Sequence, residues 1–262
     1  MATPHTHRQM PANPASSSAR KVDQQQIDYT GYSTSYDESR FEGLGNRYLE
    51  AVRCAAFSKV MGACDRGDVV LDVGCGTGRG LTYLHAEGFR RVVGVDFTGA
   101  MLARARGKLD GLDGLHALLA RGDGFRLPFR DDSFNVVITL NFLHMFRFEL
   151  QARLVAELAR VCRPGGLVVA EFDSIHKGLF VTRYLEQRRR ADRTKFNSIR
   201  EIGALFTRPM FDGRRVVGTG LPKLHVAMRY WPSLGLRLEA LGHHLPLNWM
   251  SERVFVRARR VA

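Results

Sequence analysis

Cysteine is scarce in this sequence, with four residues in a chain of 262, and no two of them form a CxxC pair. The nine histidines form no HExxH group, and the one HxH pair, His5 and His7, stands in a proline-rich stretch with no cysteine or acidic residue before Asp23. The sequence therefore supports neither a disulfide framework nor a metal site. Because Cys54, Cys64, Cys75 and Cys162 stand in segments typical of helix and strand interiors, we expect buried free thiols in a reducing compartment, which favours a cytoplasmic location.

Long apolar runs are also missing. The longest candidate, residues 134–146, contains Asn141 and His144 and falls short of the roughly 18 apolar residues that a membrane helix needs, so we expect no membrane span. The first 22 residues lack the apolar core of a secretory signal. Their basic residues and serines resemble an organelle transit peptide, but prolines interrupt any helix there, and a disordered tail at residues 1–26 is our expectation.

Acidic residues are few in the last third of the chain. Residues 182–262 hold 17 Lys and Arg but 6 Asp and Glu, a net charge of +11, while the rest carries only +2 of the total of +13. Such a surplus favours an anionic partner, whether nucleic acid, a lipid surface or an acidic small molecule. A solvated face in an arginine-rich protein explains it equally well.

Apolar runs alternate with amphipathic stretches along most of the chain, and this alternation predicts strands and helices in turn. We therefore predict an α/β fold, a doubly wound sheet of seven mostly parallel strands with helices on both faces. The predicted strands are residues 69–73, 91–96, 115–121, 134–140, 167–172, 214–217 and 253–257. The predicted helices are residues 38–61, 79–88, 100–109, 149–161 and 226–241.

Two segments interrupt this alternation. Residues 163–166 (Arg-Pro-Gly-Gly) predict a break before the fifth strand. Residues 174–210 carry an arginine run and several aromatic residues, and we predict a mostly helical insertion there that covers the substrate. Together with a helical cap at residues 27–64, these segments belong to one domain that is expected to span residues 27–262.

A glycine-rich turn, Asp-Val-Gly-Cys-Gly-Thr-Gly at residues 72–78, lies between a predicted strand and a predicted helix. Glycines at such a turn let the backbone approach a ligand closely. The residue three positions after Gly76 is Arg79, which argues against a dinucleotide fingerprint, and no GxxxxGK[ST] phosphate loop is present. With no pyrophosphate to hold, the turn suits an uncharged or zwitterionic ligand.

Acidic residues follow the next two predicted strands. Asp96 ends the second strand, 24 residues after Asp72. An acid at that place accepts hydrogen bonds from the ribose hydroxyls of an adenosine, and capping of the next helix is the alternative role. Asp123 follows the third strand and adds a second carboxylate at the same edge of the sheet.

These motifs resemble, in order and spacing, those of class I S-adenosylmethionine-dependent methyltransferases, and in particular the small-molecule group called methyltransferase type 11. The resemblance extends over residues 36–173. Its motifs are residues 70–78, 94–96, 122–123, 127–129, 132–137 and 158–166. It implies a Rossmann-like fold, S-adenosylmethionine as the cofactor and S-adenosylhomocysteine (SAH) as the product.

The resemblance also implies a role for individual residues. It implies that Arg40 or Arg47 contacts the carboxylate of the cofactor and that the methionine part is surrounded by Asp72, Gly74, Cys75, Gly76 and Gly78. It implies that Asp96 contacts the ribose and that the adenine is contacted by Phe97 and Met101 on its face and by Asp123 and Gly124 at its amino group. The implied neighbours of the sulfonium are Leu140 and Asn141. For Arg40 and Arg47, a solvated position on a helix is the alternative.

The general base is less defined than the cofactor site. His144, shortly after the fourth strand, is the first candidate, with packing or positioning as its alternative role. Tyr36, Asp173 and His176 are further candidates for the substrate side because their neighbours place them at the same edge.

Three functions agree with the sequence. The first is methyl transfer to oxygen or nitrogen of a small-molecule acceptor beneath a lid, including an amphiphilic acceptor. The second is methylation of RNA, which the basic last third would bind, although no NPPY-like or Pro-Cys motif follows the fourth strand. The third is a non-catalytic binding module, against which the intact glycine turn argues. The oligomeric state is not predictable from the sequence.

Overall fold

The computed structural model describes residues 44–175, 196–219 and 251–261, together with Asp37 and Arg237. In chain order the elements are α1 (Leu44–Met61), β1 (Val69–Val73), α2 (Arg79–Ala86), β2 (Arg91–Asp96), α3 (Gly99–Leu109), β3 (His116–Arg121), β4 (Phe134–Thr139), a 3₁₀ helix (Leu143–Met145), α4 (Phe148–Val161), β5 (Cys162–Asp173), α5 (Ile199–Leu205), β6 (Phe211–Thr219) and β7 (Arg253–Arg260). None of the described helices is long and apolar enough to cross a membrane.

The seven strands form one sheet in the order β3-β2-β1-β4-β5-β7-β6. Strands β1 to β5 pair in parallel, and β7 runs antiparallel to both β5 and β6. The predicted α/β sheet of seven mostly parallel strands is confirmed. Because the chain reverses its direction of progress across the sheet between β1 and β4, a crevice is expected at the carboxyl ends of these two strands.

Apolar side chains cover both faces of the sheet. On one face Phe57 and Val60 of α1 and Leu81 of α2 pack on alternate strand residues such as Val70. On the other face the apolar stripe of α4, which includes Leu154, Val155 and Leu158, packs on the intervening residues, Leu71 among them. Each large apolar side chain buried in this way contributes about 1.5–3 kcal/mol to folding. The two cores hold the carboxyl ends of the strands in fixed positions.

The prediction of a break between α4 and the fifth strand was wrong. Strand β5 already begins at Cys162 and pairs there with Phe134, and the pairing resumes at Leu167 opposite Val136. The four intervening residues form a bulge within the strand, in which Gly165 has a φ of +76°. Proline and glycine thus mark a bulge here, because the neighbouring strand continues to hold the backbone on both sides of it.

Other predicted boundaries differ less. Strands β1 and β2 have the predicted bounds, while β6 and β7 are longer than predicted because they pair with each other along their length. Of the predicted insertion, α5 lies within the described part of the chain. The predicted tail at residues 1–26 and the predicted helix at residues 226–241, apart from Arg237, lie outside the described residues.

Candidate active site

The glycine turn connects β1 to α2 at the carboxyl edge of the sheet. Gly74, Gly76 and Gly78 have φ values of +74°, +53° and +80°, in the left-handed region that favours glycine. The amides of Gly74 and Cys75 donate to the carbonyl oxygen of Val95 in β2, at 2.8 and 3.0 Å. A Cβ atom at Gly76 would meet nothing within 4 Å. The backbone at Gly76 therefore borders open space that a ligand can enter.

Asp96 joins this turn to the end of β2. Its Oδ2 accepts a hydrogen bond from the Gly76 amide and its Oδ1 accepts one from the Thr98 amide, both at 2.9 Å. Burial raises the pKa of Asp96, and these backbone hydrogen bonds oppose the rise. The side chain of Thr98, at the start of α3, makes no capping hydrogen bond. Asp96 thus binds an amide at the start of α3 as well as one in the glycine turn. Each of its two oxygens can still accept a further hydrogen bond from a hydroxyl.

Asp72 lies behind the glycine turn and is 1% exposed. Burial, together with the charge of Asp96, raises the pKa of Asp72 to about 8, although Arg53 opposes this effect. Its Oδ1 atom is buried without a hydrogen-bond partner. A buried acceptor of this kind fits a ligand that carries N–H donors, such as the amino group of S-adenosylmethionine. The Asp96 carboxylate, beside Gly76, fits the ribose hydroxyls of the same molecule.

The residues predicted for the adenine side lie around the ends of β2 and β3. Phe97 is half-buried, and the Arg121 guanidinium lies 5.6 Å from its ring centroid. Met101 in α3 is 2% exposed and already packed within the protein. Asp123 accepts a hydrogen bond from the Phe125 amide at 2.9 Å. A Cβ atom at Gly124 would come within 3.2 Å of Leu154 and Phe142.

The turn after β4 forms the wall of the site opposite the glycine turn. Leu140 is buried, and Asn141 has a φ of +53°, which is unusual for a residue other than glycine. The Asn141 amide donates to Oε2 of Glu171 in β5 at 2.8 Å. The ring of Phe142 lies so close to Gly74 that a Cβ atom there would approach it to 2.5 Å. The two turns are therefore in direct contact.

An ionic cluster beneath this turn was not predicted from the sequence. Arg53 of α1 donates to both oxygens of Glu171, at 2.8 and 2.6 Å, and Arg253 of β7 donates to Oε1 at 3.0 Å. Arg253 also lies 3.5 Å from Asp173. Burial alone would raise the pKa of Glu171, but the charges of the two arginines outweigh it and lower the pKa to about 2. The sequence feature that could have indicated this cluster is Glu171 itself, an acidic residue within the apolar run 167–172, because a buried acid needs a charged partner.

The predicted substrate-side residues are only partly described. His144 is 8% exposed, in the 3₁₀ helix that follows the β4 turn, and Asp173 is buried at the end of β5. Arg47 lies within α1, but its side chain is not described. Tyr36, Arg40 and His176 lie outside the described residues. No set of three His, Cys, Asp or Glu side chains in the described ranges could hold a metal ion.

Asp37, which precedes α1 in the chain, contacts the glycine turn. Thr77, within the turn, donates its hydroxyl hydrogen to Asp37 Oδ1 at 2.9 Å. Lys108 of α3 donates to Asp37 Oδ2 at 2.8 Å and to the Thr77 hydroxyl at 3.2 Å. Asp37, 71 residues from Lys108 in sequence, is thereby held beside the candidate cofactor site.

A family model described as a methyltransferase domain matches residues 70–166, from β1 into β5. These residues contain the glycine turn, Asp96, Asp123 and the turn after β4. The chain carries a class I methyltransferase domain. The cofactor of this domain is S-adenosylmethionine, in agreement with the acceptor groups at Asp72 and Asp96.

Relatives of the methyltransferase domain act on different kinds of molecule, by their names. The chain is 44% identical to a phosphatidylethanolamine N-methyltransferase of Cereibacter sphaeroides over 107 residues. This alignment covers 40% of the chain and 50% of that relative. The chain is 35% identical to a probable tRNA methyltransferase 9B of Homo sapiens over 101 residues. That alignment covers 38% of the chain and 20% of the relative. The chain thus spans half or less of the length of these relatives.

The fold extends beyond the segment that the family model matches. A magnesium protoporphyrin IX methyltransferase from Synechocystis PCC 6803, solved with bound SAH, superposes with a TM-score of 0.63 at 17% identity. The superposition covers 88% of this chain and 96% of that one. At this identity the likeness establishes the shared fold.

Proposed function

We propose that this chain transfers the methyl group of S-adenosylmethionine to an oxygen or nitrogen atom of a small-molecule acceptor. The observation that carries the proposal is the joined arrangement of Gly76, Asp96 and Asp72 at the carboxyl edge of the sheet. It offers open backbone, a carboxylate that can accept two hydroxyls, and a buried acceptor without a partner. SAH is then the product that leaves this site.

The chemistry asks mainly for positioning. S-adenosylmethionine supplies a methyl group that is already activated by its sulfonium, so alignment of the acceptor accounts for much of the acceleration. Asp72 and the glycine turn hold the methionine part, Asp96 holds the ribose, and Phe97, Met101, Asp123 and Gly124 surround the adenine. Asn141 borders the reacting centre. His144 accepts a proton from a hydroxyl or protonated amine where the acceptor carries one.

A covered site favours a small acceptor over a macromolecule. The contact of Asp37 with Thr77 and Lys108 lies at the glycine turn, and it supports the proposal that residues 27–64 form a cap. The segment 174–210 then covers the acceptor, with Asp173 at its start, while Tyr36 and His176 complete the acceptor side. A cap and a lid exclude water from the reacting centre.

RNA methylation is the second candidate, and the similarity to the probable tRNA methyltransferase together with the basic last third favours it. The arginines of β7 give it little support. Arg259 and Arg260 lie at the amino end of the parallel strands, because Arg259 pairs with Leu167 and Arg260 with Phe211. Arg253, at the carboxyl end, is already bound to Glu171 and Asp173. We therefore place the small-molecule acceptor first.

The state of the cysteines supports a reducing, cytoplasmic location. All four are free, and Cys64, Cys75 and Cys162 are buried. Burial raises the pKa of Cys64 to about 11 and that of Cys162 to about 12, so these thiols stay protonated and unreactive. Free thiols of this kind persist where disulfides do not form.

Transfer of labelled methyl from S-adenosylmethionine into a lysate of the source organism tests the proposal, with the products separated by size. Label in the small-molecule fraction is the expected result, and it provides a compound to identify by mass. Label that is macromolecular and sensitive to nuclease would support the RNA alternative instead. A chain that binds neither S-adenosylmethionine nor SAH in calorimetry would contradict the methyltransferase proposal altogether.

A further inference from the structure

The turn after β4 has a backbone conformation that needs support. Asn141 has a φ of +53°, where a side chain crowds its own backbone, although asparagine tolerates this better than most residues. The turn also carries Leu140 and Asn141, the residues predicted to lie beside the sulfonium. Something outside the turn must therefore hold Asn141 in this conformation.

Glu171 provides that support across the sheet. Its Oε2 atom accepts the Asn141 amide hydrogen at 2.8 Å, and the same oxygen accepts from Arg53 at 2.6 Å. The carboxylate is 2% exposed, and Arg53 and Arg253 fix its orientation with three hydrogen bonds. Asn141 is thus bound to a charged acceptor that cannot rotate away.

Phe142 carries this constraint to the cofactor side. Its ring packs on Gly74 of the glycine turn and on Gly124 after β3, at contacts that leave no room for a Cβ atom at Gly74. It also makes an edge contact with Phe146, with ring centroids 5.0 Å apart. A shift of Asn141 would therefore move the ring that separates the two predicted cofactor turns.

From this arrangement we infer that Glu171 is a positioning residue for methyl transfer, acting through the Asn141 amide to hold the turn that faces the sulfonium. Arg53 orients Glu171 and at the same time ties α1 to the sheet. The inference rests on the proposed function. It assigns Glu171 an effect on the transfer step, with a smaller effect on the affinity for the cofactor.

Two double variants separate the hydrogen bond to Asn141 from the buried ion pair. Arg53→Met with Glu171→Gln removes the ion pair but keeps an oxygen that can accept the Asn141 amide hydrogen. Arg53→Met with Glu171→Met removes both the ion pair and the acceptor, while methionine and glutamine have nearly the same volume at position 171. We call the two proteins the Met/Gln variant and the Met/Met variant. For each we would measure the single-turnover rate of label transfer to the acceptor found in the lysate, the Kd of SAH, and hydrogen exchange at the Asn141 amide.

We expect the Met/Met variant to transfer at least about tenfold more slowly, the size expected for a lost hydrogen bond to a buried acceptor. Its Asn141 amide should exchange faster, and its Kd for SAH should stay within about threefold, since no group that binds SAH is removed. The Met/Gln variant should retain most of the transfer rate. Equal transfer rates in the two variants, or unchanged exchange at Asn141, would overturn the inference.

A second pair of variants leaves the ionic cluster intact. Asn141→Gly keeps the amide and accepts a positive φ, whereas Asn141→Val disfavours that conformation. We expect the transfer rate of the valine variant to fall relative to that of the glycine variant, and equal rates would again contradict the inference. If the unmodified chain fails to bind SAH, the proposed function itself is wrong. If the variants bind SAH but have equal methyl-transfer rates, only the role of Glu171 is contradicted.

Discussion

Arg53 and Glu171 form a buried ion pair with two hydrogen bonds although they stand 118 residues apart in the chain. Their side chains are 7% and 2% exposed. The ion pair attaches α1 to strand β5, in addition to the apolar contacts that Phe57 and Val60 of α1 make with the sheet. Because a buried charge without its partner is costly, the position of α1 depends on this pair.

Removal of one partner should destabilise the fold more than removal of both. Arg53→Met leaves Glu171 with Arg253 alone, and we expect it to lower the free energy of unfolding by about 3 kcal/mol. Arg53→Met with Glu171→Met should recover much of this loss, since no buried charge remains unpaired there. Urea unfolding of the three proteins measures both values, and equal losses in the single and double variants would contradict the prediction.

Gly76 and Gly213 offer a matched pair for the cofactor site. They have φ values of +53° and +57°, and at neither would a Cβ atom meet anything within 4 Å. Alanine at either position should therefore cost a similar free energy of unfolding, about 1–2 kcal/mol for the left-handed backbone. Only Gly76→Ala should weaken SAH binding, by at least about tenfold, because its methyl group would enter the ligand space. Calorimetric titration of both variants with SAH checks this.

Asp96 should be needed for binding of the ribose. Its carboxylate holds both the Gly76 and Thr98 amides, so Asp96→Ala removes a ligand contact and loosens the turn as well. We expect SAH affinity to fall at least about tenfold, as for a lost hydrogen bond to a charged group. Asp113→Ala, at an exposed aspartate before β3, is the control and should bind SAH normally. Unchanged affinity in Asp96→Ala would show that the cofactor lies elsewhere.

Strands β1 and β2 could be predicted from the sequence because each one is a nearly unbroken apolar run. Val69–Val73 and Arg91–Asp96 are recognisable on their own, since both faces of these strands are buried. The bulge at residues 163–166 was mistaken for a break because its continuity depends on pairing with β4, which a local pattern does not contain. The lengths of β6 and β7 likewise depend on their mutual pairing.

The approach of Asp96 to the glycine turn could be predicted from the sequence, whereas the ionic cluster of Arg53 and Glu171 could not. Gly76 and Asp96 belong to one continuous turn and its neighbouring strand, and spacing alone brings them together. Glu171 and Arg53 come together only through the packing of α1 on β5. An arginine within a helix carries no sign of its partner, so that cluster became visible only in three dimensions.

The buried carboxyl of Asp72 should make stability depend on pH. Its pKa is raised from 3.8 to about 8, so between these values the folded chain holds a proton that the unfolded chain has lost. The free energy of unfolding should then fall with rising pH, by up to about 1.4 kcal/mol per pH unit from this group. Asp72→Asn should remove that part of the slope. Urea unfolding of both proteins from pH 5 to about pH 8 checks the difference, and parallel curves would contradict it.

The ion pair between Asp37 and Lys108 should slow the release of SAH. It holds Asp37 against Thr77, so we expect a ligand bound at the glycine turn to leave more readily once the pair is broken. Because both side chains are partly exposed, we expect SAH to dissociate only about two- to fivefold faster from Lys108→Ala or Asp37→Ala. The double variant should add little to either single one, because both remove the same contact. Stopped-flow displacement measures these rates, with Arg104→Ala on the exposed side of α3 as the control; a similar acceleration in that control would show that the positive charge of α3, and not the contact with Asp37, retains SAH.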